Sequence, residues 1–592
     1  MSRRKLLVLL GSGLVVVQLL LVVGVWIPVP HNGGDNAGYV SLAHSLLSGE
    51  GYVEAWDPAR PLHTKYPPLF PALLAAAIAL GARTWTALKL VPAAFTTVAV
   101  VGTFLWAARR RGPWFGAGVA ALLAAGPGLL WYSHWVLSDV PFLALTVLAL
   151  WALEHGSPGE VARDGEGAGP PAAGGDGGAP GSKGTVPRVA AVWLGAGMVA
   201  AVLAYFTRSA GLPLLLAVAG WLAFRRRWAP LGVFAAVAGA PALAWWLRGR
   251  GGGTDYVAEF WMVDPYAPER GTIGPGGLVG RAADNLGLYL TGHVPEGLMG
   301  RAPGATIIGL AVLALAVVGW GRLWLPAGRW GRVHAAELFF PLYAGLILLW
   351  PQVWSGDRFA LPLFPLVLFY AGDALLRLAR RLSVRVVPGA GLAGLLLVGA
   401  PALLSWGDAR EEARACGSVS RSIGAGPWSC WGAPWEAFVD AARWSGANLR
   451  EGSAVLTRKP RIFWVMGGTP GRTYPFTADP DRFLSFADEA GARYVLLDAL
   501  GRQGPVYVGG VVRALPGAFC SVAPFRGGGG GEGRASAQLL GIVDPALEAG
   551  GALERGPEGP ALRIPTCPGA LLPAGRPVAP PPPGRTIPLL AR

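Results

Sequence analysis

Residues 6–27 read LLVLLGSGLVVVQLLLVVGVWI, and residues 31–71 read HNGGDNAGYVSLAHSLLSGEGYVEAWDPARPLHTKYPPLFP. The first run carries no charge and, as a helix, is long enough to cross the hydrocarbon of a bilayer. The second gathers polar, aromatic and charged groups into one loop. Apolar runs of the first kind recur over the first four hundred residues, so this loop is the first polar excursion of a chain otherwise suited to lipid.

Composition agrees. With 53% hydrophobic and only 14% charged residues, the chain reads as an integral membrane protein with many helical spans, because no soluble core is this apolar. A net charge of +15 would suit a polyanion if it were gathered on one face. Instead the basic residues stand in short groups between apolar runs, at Arg3–Lys5, Arg109–Arg111, Arg225–Arg227 and Arg377–Arg385. That is the pattern of cytoplasmic loop anchors, and it argues against nucleic acid as a partner.

Topology follows from these anchors. The basic start places the N-terminus in the cytoplasm and His31 outside, and no small-residue cleavage site follows the first run, so it reads as an uncleaved anchor. Leu88–Ala108 is long enough to span and ends at the Arg109 triplet. Leu69–Leu80 is too short, and parity requires it to lie along the outer interface, within a first exoplasmic loop of residues 28–83. Trp114–Trp131, Val140–Leu153, Val189–Tyr205, Leu212–Phe224, Leu231–Leu247, Ile307–Trp320, Leu338–Trp350, Ala360–Leu376 and Leu392–Trp406 then alternate, giving about eleven spans in residues 1–406. Residues 156–187, rich in Gly, Pro and Ala, are expected to form a disordered cytoplasmic loop. Residues 249–303 are expected to form a long exoplasmic loop with an amphipathic piece near Leu278–Leu290.

Residues 407–526 read as a small exoplasmic α/β domain suited to a lid or an acceptor-binding module. Ala437–Leu449 and Asp481–Ala490 have helical spacing, and Ser453–Thr457 and Tyr494–Asp498 read as short buried strands. Residues 527–592 are a Gly- and Pro-rich tail, expected to be partly disordered. All four cysteines, Cys416, Cys430, Cys520 and Cys567, fall in this C-terminal part, as disulfides in an oxidising compartment would. Cys416 with Cys430 and Cys520 with Cys567 is the simplest of the three pairings that spacing allows.

This topology brings Asp35, Lys65, Asp139, Arg208 and Arg358 to one outer face from five places in the sequence. Carboxylates and cations beside lipid suit binding of a lipid phosphate and removal of a proton from a nucleophile. A sugar leaving from phosphate needs little acid assistance, so one base suffices, and the cations neutralise charge on the departing phosphate. Each residue also has a plainer role. Asp35 and Asp139 are placed to cap helices, and Lys65, Arg208 and Arg358 are placed to reach headgroups from span ends. His31, His44, His63 and His134 share the outer side but match no zinc-ligand spacing, and Trp131, Trp135, Trp350 and Trp354 suit interfacial belts.

Asp35 followed by Tyr39, Ala43 and Gly49, then Lys65-Tyr66-Pro67-Pro68-Leu69, the Ser138-Asp139 pair opening a span, and Arg358 ahead of Leu361-Pro362-Leu363-Phe364-Pro365 together resemble the polytopic GT-C glycosyltransferases. The likeness is to the aminoarabinose transferase and protein mannosyltransferase group, families 39 and 83, over most of residues 1–500. It implies an inverting transfer of a sugar from a polyprenyl phosphate to an exoplasmic lipid, glycan or protein acceptor, in what would be a bacterial inner membrane. Its first-loop acid maps to Asp35, as general base, and its second acid to Asp139. Lys65 and Arg358, with Arg208, would hold the donor phosphate, and Tyr39, Tyr66 and His63 would line the cavity. The first loop has no Asp-x-Asp pair, which argues against a metal-dependent oligosaccharyltransferase while leaving a divalent cation open as cofactor. The family's acceptor-binding features are not recognisable in residues 249–303.

Two other classes make different demands. A transporter or flippase of lipid-linked sugars calls for midplane charges or internal repeats, but the charges here sit at the outer edge and no repeat is evident. A receptor anchored by its spans would not need so many of them.

Overall fold

The structure, a computed structural model, describes residues 1–27, 29, 31–157, 188–249, 256–267, 270–324, 333–416, 431–527, 536–543, 551–556 and 559–567. The expected loop at 156–187 and the end of the tail lie almost entirely outside these residues.

The apolar runs form helices. They are α1 (Arg3–Gly24), α2 (Gly34–Leu47), α3 (Leu69–Ala79), α4 (Trp85–Arg111), α5 (Pro113–Ala125), α6 (Pro127–Tyr132), α7 (Asp139–His155), α8 (Arg188–Thr207) and α9 (Leu212–Phe224). Then follow α10 (Trp228–Arg248), α11 (Tyr256–Trp261), α12 (Pro275–Leu288), α13 (Val294–Met299), α14 (Ala305–Gly321), α15 (Ala335–Leu349), α16 (Phe364–Leu382) and α17 (Val387–Ala415). Six segments are long and apolar enough to cross a membrane: α1, α4, α8, α10, Asp357–Leu382 and Val384–Ala415. Shorter apolar helices, among them α3, α5, α14 and α15, pack beside them. The chain is a polytopic helical membrane protein.

Local chemistry sets the helix ends. Thr84 caps α4 by accepting from the Ala87 N–H, and Gly112, at φ 94°, turns the chain so that Pro113 opens α5. The two helices then run in close contact, because a Cβ on Gly116 would lie 2.6 Å from the backbone nitrogen of Ala108. The span expected at Trp114–Trp131 is broken: α5 stops at Gly126, and Pro127, which has no N–H to continue the ladder, opens α6. The far end of the bundle is held by Arg110. It donates to Glu154 at 2.7 Å and to Glu337 at 2.6 Å, with Tyr370 donating to Glu337 at 2.8 Å. This member of the expected anchor triplet is turned inward instead of toward headgroups.

The C-terminal domain is built from α18 (Ala433–Asn448), β1 (Ala454–Leu456), α19 (Pro460–Gly467), β2 (Gly471–Arg472), α20 (Pro480–Glu489), β3 (Ala492–Asp498), α21 (Gly509–Ala514), β4 (Phe519–Phe525) and β5 (Ala537–Ile542). The sheet order is β2-β1-β3-β5-β4, with β2, β1 and β3 parallel and β5 antiparallel to both neighbours. The domain limits expected at 407 and 526 are therefore shifted. Helix α17 continues through residue 407, and β5, from the expected tail, lies between β3 and β4 with Leu540 opposite Val495. Cys520 and Cys567 are joined, so the tail is also cross-linked to β4. Cys416 is disulfide-bonded too, while Cys430 lies outside the described residues.

Two apolar cores matter for function. One fills the bundle and includes Phe104, Trp106, Phe142, Trp221, Phe339 and Phe364. The other joins the first loop to the C-terminal domain, with Tyr39, Leu42, Trp56 and Phe70 packed in one cluster with Phe438, Phe463 and Trp464. Gly471 N–H donates to the Trp56 carbonyl at 2.7 Å, and Arg472 grips Asp57 through two hydrogen bonds of 2.8 and 3.0 Å. The domain is fixed onto the loop.

Candidate active site

The link between α1 and α2 is pinned before Asp35 is reached. Lys89 of α4, buried, donates to the carbonyls of Ile27 and Val29 at 2.5 and 2.6 Å, and the Ile27 N–H donates to His134 Nε2 at 3.3 Å. His31 Nδ1 accepts from the Gly33 N–H at 2.8 Å. Helix α2 then starts with Gly33 as its cap, and Asp35 stands in the first turn, where the helix dipole favours an anion. Asp35 is not the cap, and its carboxylate is free to turn outward.

Asp35 Oδ1 accepts from the Tyr66 hydroxyl at 2.8 Å, and Oδ2 accepts from Arg358 Nη2 at 2.9 Å. The same guanidinium donates through Nε to Asp139 Oδ1 at 2.9 Å. Arg208 Nη1 lies 2.9 Å from that Asp139 oxygen, and the Phe359 ring lies under both guanidiniums, at 4.9 Å from Arg208 and 5.5 Å from Arg358. Asp139 is the first residue of α7 and Ser138 is its cap. The Asp139 side chain is 3% exposed against 32% for Asp35, so Asp139 supports the site from beneath while Asp35 faces the opening. Asp139 Oδ2 has no hydrogen-bond partner among the described residues. Neither Arg208 nor Arg358 reaches away toward headgroups; both are turned onto carboxylates.

The Lys-Tyr-Pro-Pro segment is shaped by His63. The Tyr66 N–H donates to His63 Nε2 at 2.8 Å, so the proton sits on Nδ1, which donates to Glu54 at 2.8 Å. Burial, only partly opposed by Glu54, lowers the pKa of His63 and keeps it neutral for this task. With no exposed surface, His63 does not line a cavity as expected; it is a strut that aims Tyr66. Tyr39 is likewise buried, its hydroxyl 2.7 Å from Ser138 Oγ and its ring packed on Tyr66 at 4.8 Å between centroids. Burial pushes the Tyr39 phenol up to about 12, so it remains a neutral hydrogen-bonding group. Lys65 is paired with another carboxylate: both oxygens of Glu259, on α11, take its ammonium at 2.7 Å, and the Trp354 ring lies 5.2 Å away.

One cation comes from outside the expected set. Arg461, at the start of α19, donates to the Tyr66 hydroxyl at 2.6 Å and lies 3.8 Å from Asp35 Oδ1, with its guanidinium 4.8 Å from the Trp56 ring. The signal for it is the basic run Arg458-Lys459-Pro460-Arg461 directly after a buried strand, since loops at the carboxyl ends of parallel strands face ligands. Burial would raise the Asp35 carboxyl, but Arg358, then Arg461, and the hydrogen bonds from Tyr66 and Arg358 outweigh it and hold the carboxyl well below the usual carboxylate range. The residues do not fit a divalent cation. Asp35 and Asp139 share a guanidinium, and among the described residues no group of three or more His, Cys, Asp or Glu could hold a metal.

No family model and no curated protein matches this sequence. Solved structures do. The chain is similar to the oligosaccharyltransferase AglB of Archaeoglobus fulgidus in its apo form, with a TM-score of 0.54 at 14% identity over 89% of this chain and 75% of that one. The AglB complex with an inhibitory peptide and a dolichol-phosphate gives 0.52 at 13% identity, over 86% and 72%. ArnT of Cupriavidus metallidurans bound to undecaprenyl phosphate gives 0.51 at 14% identity, over 90% and 98%. The chain thus has the GT-C fold of polytopic membrane glycosyltransferases, joined to a small C-terminal sheet domain.

Proposed function

We propose that this chain is an inverting glycosyltransferase that moves a sugar from a polyprenyl-phosphate-linked donor to a hydroxyl of an acceptor on the exoplasmic side of a bacterial plasma membrane. The observation that carries this reading is the Asp35–Arg358–Asp139 bridge at one end of the bundle, with Arg208 and Arg461 beside it and the Asp35 carboxylate partly open.

In the reaction, the acceptor oxygen attacks C1 of the sugar, the C1–O bond to phosphate breaks, and the electron pair leaves with the polyprenyl phosphate. The phosphate gains one negative charge, which the guanidiniums of Arg358 and Arg461 are placed to meet. The acceptor proton goes to Asp35. A carboxylate held this far down is a weak base before the donor arrives. As the phosphate draws Arg358 and Arg461 toward itself, Asp35 loses its counter-ions and its affinity for a proton rises. Asp139 and Arg208 hold the shared guanidinium in register. Lys65 joins the phosphate when Glu259 releases it.

The test is a transfer assay in membranes with a radiolabelled polyprenyl phosphate sugar, comparing the unaltered chain with Asp35→Asn. Labelled acceptor in the first and none in the second supports the reading; equal turnover in both removes Asp35 from the mechanism.

A further inference from the structure

Two cations beside the site have no counter-ion. Arg458 and Lys459 stand between β1 and α19, on the turn by which the C-terminal domain reaches Asp35. The Lys459 carbonyl accepts from the Phe463 N–H at 3.0 Å, which holds Lys459 in the same turn as Arg461. Arg461 is committed to Tyr66 and Asp35. Among the described residues, the side chains of Arg458 and Lys459 take part in no hydrogen bond and no ion pair. Both residues are partly exposed, and none of their side-chain nitrogens is sealed from solvent. A ligand can meet them at the surface without a preformed cavity.

Aromatic rings set the place of Arg458. Its guanidinium lies 5.4 Å from the Tyr266 ring and 5.6 Å from the Phe476 ring. Tyr266 belongs to the exoplasmic loop that follows α10, and its ring meets Trp354, the ring that also lies near Lys65. A guanidinium held by its faces keeps the N–H groups of its edge for a ligand. Lys459 lies within electrostatic reach of Asp35, Arg461, Arg458 and Asp498. Burial, then the like charge of Arg458, lowers its ammonium to about 8, because neither carboxylate is close enough to offset them. Asp498 is set back: it is 2% exposed and accepts from the Leu500 N–H at 3.0 Å.

The charges that meet at Asp35 close without these two residues. Arg208, Arg358 and Arg461 exceed Asp35 and Asp139 by one positive charge, and Glu259 matches Lys65. One surplus charge suits the single charge of a sugar–phosphate diester. On transfer the phosphate gains a negative charge while the acceptor proton neutralises Asp35, so the match holds at both ends of the reaction. Arg458 and Lys459 are left over, and Asp498 can balance only one of them. An unmatched cation beside a ligand site points to an anion on the ligand.

We infer that Arg458 and Lys459 form an anion subsite for the acceptor, holding a phosphate or carboxylate that the acceptor carries near its reacting hydroxyl. The inference rests on Asp35 receiving that hydroxyl.

The experiment is saturation-transfer NMR of the full chain in a neutral detergent, with glycerol 1-phosphate and glucuronate as anionic probes and glucose as the neutral control. Saturating polyprenyl monophosphate is present to fill the donor site. At least one anionic probe is expected to give signal and glucose none. That signal should fall about fivefold or more in Arg458→Gln and in Lys459→Gln, each of which removes one charge-assisted contact, and return in Lys459→Arg. Thermal melting checks that the variants are folded, and the return in Lys459→Arg separates lost charge from lost structure. No anion signal, equal signal in the glutamine variants, or equal signal from glucose overturns the subsite. Signal that vanishes when the polyprenyl monophosphate is added also overturns it, assigning both cations to the donor. Lys459-dependent binding in a chain that transfers no sugar would sink the transferase reading and leave an anion site standing.

Discussion

Asp35 and Asp139, more than one hundred residues apart in sequence, are joined through one guanidinium: Arg358 Nη2 lies 2.9 Å from the first and Nε lies 2.9 Å from the second. The two carboxylates are thereby made unequal. Asp139, also paired with Arg208, is the buried anchor, and Asp35 is the accessible end.

A planar fork can serve both carboxylates and an ammonium cannot. Arg358→Lys is expected to lower the transfer rate by about a hundredfold or more, the loss typical of a removed electrostatic contact in an active site. Arg358→Ala should also lower stability by about 3 kcal/mol, because it takes away one partner of the buried Asp139. Transfer kinetics together with thermal unfolding in detergent separate the two effects; a lysine variant of normal rate would show that the bridge is structural only.

The depressed Asp35 carboxyl has a pH signature. A folded pKa below the unfolded one contributes stability that is present above the ordinary carboxylate value of about 4 and is lost as pH falls below it. Protonation of Asp35 should therefore limit neither stability nor kcat/KM between pH 5 and 7. Arg461→Gln removes one of the two cations holding the carboxyl down. It should raise the acid limb of the pH–rate profile by about one unit, with the C-terminal domain still in place by limited proteolysis. An unmoved acid limb would detach Arg461 from Asp35.

Lys65 is paired with Glu259, and in the proposed reaction Glu259 would compete for it with the donor phosphate. Glu259→Gln is expected to tighten donor binding about threefold to tenfold, the scale of one partly buried ion pair. Binding of a polyprenyl phosphate, followed by tryptophan quenching, measures it. Weaker binding in this variant would mean that the pair holds α11 in place and that Lys65 takes no part.

Asp498 behaves oppositely to Asp35. Burial raises its carboxyl to about 6, so its contribution to stability is fully present below about 4 and is lost as pH rises through 6. Asp498→Asn should therefore be more stable than the unaltered chain at pH 7.5, by about 2 kcal/mol or several degrees in melting temperature, with the difference vanishing near pH 4. Melting curves at the two pH values decide it.

Much of this was legible in the sequence, because lipid imposes it. Apolar length and basic flanks mark the helices, and sidedness alone brings Asp35, Asp139, Arg208 and Arg358 to one end. Distant pairing was not legible. Nothing near Lys65 announces Glu259, and no periodicity tells Ala537–Ile542 that its place is between β3 and β4. The break between α5 and α6 could have been read from Gly126-Pro127. The role of His63 could not, since the same ring serves as strut or lining according to which backbone N–H its second nitrogen meets.

The grip of Asp57 by Arg472 and of Tyr66 by Arg461 has a bearing on how the protein is made. The first loop leaves the ribosome some four hundred residues before the segment that completes it. Until then Trp56, Tyr66 and Asp35 have neither their second apolar core nor their last counter-ion. The bundle can assemble helix by helix, yet the site stays unfinished until the strand at Gly471 docks. A chain ending before Pro460 would carry the helices without Arg461, Arg472 and part of the apolar core that covers the first loop.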